Sequence, residues 1–146
     1  MRAQRGISRL ESWLRSQGFT LCFSNKAISY VDFEDMQVVV NSRYRPGSQL
    51  AQLAHECGHI LITDEEIDAR FSKGYPLLGN SRYRHNLVHR ITVVEEEVEA
   101  WKRGEDLLKS MNINYDKDVF AACKAKSLKS YFKWTCRAKL KKTISN

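Results

Sequence analysis

Hydrophobic and polar positions follow two different rhythms along the chain. Ile7, Leu10, Trp13 and Leu14 recur at helical spacing between Ile7 and Gln17, and Gly18 follows as a C-cap, which predicts an amphipathic helix. The rhythm then changes. Phe19–Phe23, Ala27–Val31 and Gln37–Asn41 are rich in β-branched or aromatic residues and separated by polar breaks, and they predict two or three strands of a small antiparallel sheet. After Arg45-Pro46-Gly47 helical spacing returns. Ser48 is placed as an N-cap, and Leu50, Leu53, Ala54, Cys57, Ile60 and Leu61 form one apolar stripe. Residues 63–90 lack a clear period and predict a loop with at most one short helix. A long helix is predicted from about Ile91 to Met111, and a last one from an Asp116 cap to about Leu140, ending in a lysine-rich tail.

Composition narrows this picture. At 146 residues and 42% hydrophobic the chain is long enough for one core and too short for two full-sized domains, so a single domain over 1–146 is expected. No apolar run approaches the ~18 residues of a membrane span, and Met1-Arg2-Ala3-Gln4-Arg5-Gly6 lacks the apolar stretch of a secretory signal. A cytoplasmic location with no membrane partner is therefore expected. Cys22, Cys57, Cys123 and Cys136 form no CxxC pair, which argues for reduced thiols rather than a zinc ribbon. The charge is unevenly placed: between Asp116 and Asn146 nine basic residues face two acidic ones, which equals the whole net charge of +7. Any attraction to nucleic acid must come from that segment.

The candidate chemistry lies in His55-Glu56-Cys57-Gly58-His59, an HExxH motif. Residues four apart on a helix project from one face, so His55 and His59 can offer imidazole nitrogens to one metal while Glu56, one step round, can hold the attacking water. Cys57 faces away and is expected in the core. A zinc site needs a third protein ligand. The extended HExxHxxGxxH pattern is absent, since Ile62 and Glu65 stand where it requires glycine and histidine, and this excludes a metzincin. Glu95, Glu96, Glu97 and Glu99 all fall on the long helix. The apolar face drawn through Ile91, Val94, Val98, Trp101 and Leu108 has Glu97 nearest its centre, Glu95 at its margin and Glu96 nearly opposite. Glu97 is thus the expected ligand, with Glu96 and Glu95 in solvent and Glu99 pairing with Arg103. His85 and His89 also stand four apart and form an alternative third-ligand source, read more simply as loop histidines.

With these residues in place, Ala27-Ile28-Ser29-Tyr30-Val31-Asp32 and Gln37-Val38-Val39-Val40-Asn41-Ser42 followed by the HExxH helix resemble the ImmA/IrrE group of gluzincin-like zinc metallopeptidases. Glu97-Val98-Glu99-Ala100 is similar to that group's Glu-x-x-Ala segment, whose first glutamate is the third ligand. The resemblance covers roughly residues 19 to 110. It implies a small endopeptidase with Zn²⁺ as cofactor, often encoded by phages or mobile elements, that cuts a repressor or other regulatory protein.

The expected architecture is therefore α+β: a small antiparallel sheet packed on the HExxH helix and a second ligand-bearing helix, flanked by N-terminal and C-terminal helices. The expected site has His55, His59 and Glu97 as metal ligands and Glu56 as general base and acid, with Tyr75, Tyr83 or His85 as open choices for stabilising the oxyanion. A protein or peptide is the expected substrate. The last helix offers the rival reading: Lys124, Lys126, Lys129 and Lys133 interleave with Phe120, Cys123, Leu128, Tyr131 and Trp134, a pattern able to bind phosphates and stack bases. On that reading the chain is a nucleic-acid-associated protein with a structural or vestigial metal site.

Overall fold

The computed structural model describes residues 2–26, 28–64 and 87–138, which form four helices and three strands. Helix α1 spans Arg2–Ser16 and buries Ile7, Leu10 and Leu14. It ends as its sequence predicts. Gly18 takes φ +86°, the Gly18 N–H donates to the Arg15 carbonyl at 3.0 Å, and the Phe19 N–H donates to the Leu14 carbonyl at 2.9 Å. These are the two bonds of a Schellman cap, sealed by the apolar pair Leu14 and Phe19, both in the core.

Strands β1 (Thr20–Ser24), β2 (Tyr30–Asp32) and β3 (Gln37–Asn41) form one sheet in the order β1-β3-β2. The α+β class is as expected, but the pairing is mixed rather than all antiparallel. β2 and β3 form a hairpin whose turn is held by Asp32 Oδ1, which accepts from the Glu34 and Asp35 N–H groups at 3.0 Å. β1 instead runs parallel to β3, with Thr20 opposite Gln37. The reason is burial: Val38, Val39 and Val40 are all buried, and a strand apolar on both faces belongs in the middle of a sheet. β3 therefore inserts between its two predecessors. Strand β2 is also shorter than the expected Ala27–Val31 and begins only at Tyr30. Ser29 Oγ accepts from the Asn41 N–H at 3.2 Å, so a side chain takes over where the backbone ladder would continue.

Helix α2 (Pro46–Asp64) opens two residues before the expected Ser48 cap, with Pro46 in the first turn, where its missing N–H costs nothing. It is the centre of the molecule, packing against α1, the sheet, α3 (Leu87–Ser110) and α4 (Lys117–Cys136). Leu50, Leu53, Cys57 and Ile60 join Leu10 and Leu14 of α1, Val38 and Val40 of β3, Trp101 and Leu108 of α3 and Phe120 of α4 in one core. α4 is capped as expected, with Asp116 Oδ1 accepting from the Asp118 and Val119 N–H groups.

Two glycines set the spacing of α2 and α3. A Cβ on Gly58 would lie 1.9 Å from the Ala100 carbonyl oxygen, and one on Gly104 would lie 2.2 Å from that of Ala54. The helix backbones touch at these points. α3 also starts earlier than expected and is turned about its axis: Ile91 and Val98 are 44% and 38% exposed, while His89, Arg90, Val93, Ala100, Gly104 and Leu107 are buried. The buried face is thus rotated by roughly a quarter-turn from the face drawn through the large apolar residues alone. Both ends of the expected loop are helical, to Asp64 and from Leu87, and residues 65–86 lie outside the described residues. His85, Tyr75, Tyr83 and the terminal lysine tail lie outside the described residues. Among the described residues no helix is long and apolar enough to cross a membrane.

Candidate metal centre

The close contact of α2 with α3 brings three buried side chains to one point. His55 Nε2 lies 2.8 Å from Glu97 Oε2, His59 Nε2 lies 3.2 Å from Glu97 Oε1, and the two Nε2 atoms are 3.2 Å apart. Two imidazole lone pairs cannot face each other at that distance without a proton or a cation between them. Ligands about 2.0–2.2 Å from a tetrahedral cation are separated from one another by about 3.4 Å, close to the spacing found. This buried trio can hold a metal ion. Among the described residues it is the group of metal-ligating side chains that the fold assembles.

Each imidazole is fixed from behind. Trp101 stacks on His55 with centroids 4.3 Å apart and planes 6° from parallel, and Phe120 meets Trp101 edge-on at 5.3 Å. His59 Nδ1 lies 3.4 Å from Glu96 Oε1. Glu96 is therefore not on a solvated face as expected but is 3% exposed at the ligand's far nitrogen, the position from which a carboxylate orients a metal-binding histidine. Counting Ala100 and Gly104 into the apolar face would have moved that face toward Glu96. Glu95 is exposed, and Glu99 pairs with Arg103 at 2.9 Å, both as expected. His55 Nδ1 is 3.3 Å from Glu56 Oε1 but off the hydrogen-bond direction, so it has no aligned partner.

The charges of this cluster are interdependent. Burial works against the charged form of Glu97, yet His59 and His55 outweigh it and hold the carboxyl far below its ordinary value. Burial likewise opposes charge on His59, but Glu97 and Glu96 raise it well above the ordinary imidazole value; for His55 the same burial is outweighed by Glu56 and Glu97. Without a metal, the neighbouring carboxylates thus favour protons on the two imidazoles.

One side of the cluster opens into a cleft of about 460 Å³ whose lining includes His55, Glu56, Ser29, Gln52, Lys126 and Tyr131. Glu56 thus lines the cleft next to His55. Tyr131 is a residue the sequence reading placed in the apolar stripe of the last helix, without a role at the site. Its hydroxyl hydrogen-bonds Glu97, and burial, reinforced by the Glu97 carboxylate, pushes the phenol far above its ordinary value, so it remains a donor. The signal available in the sequence was its position on the domain-facing stripe with Phe120 and Cys123.

The remaining candidates stand elsewhere. Cys57 is in the core, and burial pushes its thiol well up. All four cysteines are free. His89 is helical rather than in a loop, buried edge-on against Trp134 at 6.4 Å, and does not join the trio. No family model, curated protein or solved structure matches the chain.

Proposed function

We propose that the chain is a zinc-dependent endopeptidase. The observation that carries this reading is the convergence of His55 Nε2, His59 Nε2 and the Glu97 carboxylate beside a cleft lined by His55 and Glu56. Three ligands with one side open to a cleft are the arrangement of a catalytic rather than a structural zinc site. Zinc bound there would lower the pKa of a water from about 15.7 toward 7 and polarise a carbonyl. Glu56 accepts the proton of the attacking water and returns it to the leaving amine nitrogen, so the carboxylate ends as it began. Tyr131 donates its hydroxyl hydrogen to Glu97 and holds that carboxylate in place at the wall of the cleft. The resemblance of residues 19–110 to ImmA/IrrE peptidases supports the same chemistry and points to a regulatory protein as substrate. The four free thiols support an intracellular setting.

The test combines metal content with cleavage of an unfolded protein. Wild-type protein should hold about one zinc per chain and cut the substrate, and a chelator should stop it. Glu56→Gln should keep the zinc and lose cleavage by at least about a hundredfold. Equal cleavage by the variant would overturn the proposal.

A further inference from the structure

The proposed peptidase site leaves the basicity of the last helix unexplained. Lys126, Lys129, Lys133 and Arg137 are all exposed. At about 100° per residue their side chains fall within roughly 80° of arc, so they form one line at the end of the chain's described part. Among the described residues, none of these four side chains has an ion-pair or hydrogen-bond partner. Lys126 stands inside the cleft with Glu56 and Tyr131. Lys129, Lys133 and Arg137 border a shallow trough further along α4, beside Phe132. The line therefore starts at the candidate site and leads away from it.

Its dimensions suit an extended peptide. Eleven helical steps from Lys126 to Arg137 cover about 17 Å, which an extended strand spans in about five residues. The aromatic residues of α4 argue against nucleic acid as the occupant. Single-strand binders stack successive bases on exposed rings beside the cations. Here Phe120 is buried, Tyr131 is turned to Glu97, and Trp134 lies under the Arg90 guanidinium at 4.7 Å and edge-on to His89. Phe132 is the ring of α4 left exposed, at 51%.

We infer that the line Lys126–Lys129–Lys133–Arg137 is a docking track for an acidic stretch of about five residues beside the scissile bond of a protein substrate. The inference rests on the peptidase reading for its scissile bond, while the track itself can be tested by binding alone. Charge repeated along the track draws the segment in and sets its direction into the cleft.

Two measurements test it. In the first, Glu56→Gln protein is titrated into three fluorescent probes: a peptide containing five glutamates, the same peptide with five glutamines, and a single-stranded oligonucleotide. The acidic peptide should bind about tenfold more tightly than the glutamine peptide at low salt, the gap should close as salt rises, and K126E/K129E/K133E should abolish it. Equal binding of the two peptides, indifference to the triple reversal, or preferential binding of the oligonucleotide would each overturn the inference. In the second, wild-type protein digests both peptides extended across a cleavable sequence. A higher kcat/KM for the acidic one, lost in the triple variant, supports the track. Cleavage without that preference overturns it. If wild-type cuts neither peptide more than Glu56→Gln does, the peptidase reading fails, and the track is then judged by the binding result.

Discussion

His59 lies between two carboxylates that are adjacent in sequence: Glu97 at its Nε2 and Glu96 at its Nδ1. One is placed to share a cation and the other to orient the ring, so their substitutions should differ in kind. Glu97→Ala and His55→Ala should leave protein without bound zinc, measured by metal analysis after dialysis. Glu96→Gln should keep zinc but bind it about ten- to a hundredfold more weakly in a competition with a chromogenic chelator. Tyr131→Phe should retain zinc stoichiometry but bind zinc about tenfold more weakly in the same competition, because the lost hydrogen bond holds the Glu97 carboxylate. The metal-free protein should also show a distinctive pH profile. His55 and His59 have values raised above 6.5, so the stability they contribute is complete below 6.5 and disappears as pH rises through the raised values. Glu97 is lowered from 4.5, so its contribution is present above 4.5 and is lost as pH falls through the lowered value. Chemical denaturation should therefore find metal-free protein most stable between about 4.5 and 6.5 and weaker in mild alkali. Zinc affinity should move the opposite way, rising with pH as the imidazoles shed protons. At this scale the HExxH pair was legible because i,i+4 geometry is local, and Glu97 because it stayed near the buried face even after that face was turned. Glu96 was not, since the packing that buries it runs through Ala100 and Gly104, small residues that add little to a hydrophobic pattern.

The contact of α2 with α3 depends on what those two helices lack. Gly58 lies inside the HExxH motif, and its backbone meets the Ala100 carbonyl, while Gly104 meets that of Ala54, the residue just before His55. A methyl group at either position pushes against backbone, which yields less readily than a side-chain tip. Gly58→Ala and Gly104→Ala should each cost about 3 kcal/mol and lower the melting temperature by roughly 10 °C, and both should weaken zinc binding by separating Glu97 from the histidines. Gly47→Ala is the control, since its added Cβ would lie 3.7 Å from its nearest neighbour, an ordinary contact. Helix identity was legible throughout from period and capping residues, including Gly18 and Asp116. Strand order was not. Three segments of similar composition separated by short breaks favour successive hairpins, and nothing local tells the chain to place the third between the first two. The unbroken run Val38-Val39-Val40 was the one available hint.

Across the whole molecule the candidate ligands come from α2 and α3, while α4 and the segment before β2 help to line the cleft beside them, so the candidate site joins parts of the chain that are far apart in sequence. The separation of a balanced first part from a strongly basic last part was legible in the sequence; that the basic helix walls the cleft was not, because it depends on tertiary placement. A cation at this junction should act as a cross-link that only the folded chain can offer. Binding at a thousand times the dissociation constant adds about 4.1 kcal/mol to stability, provided the unfolded chain does not compete for the ion. Removing zinc with a chelator should then lower the melting temperature by roughly 10–15 °C, and restoring one equivalent should recover it. Glu56→Gln should respond as wild type does, because Glu56 is not a ligand. Glu97→Ala should melt at the same temperature with and without zinc. A wild-type protein whose melting is indifferent to the chelator would mean that the trio closes on protons alone, and the metal would have no part in holding α2 against α3.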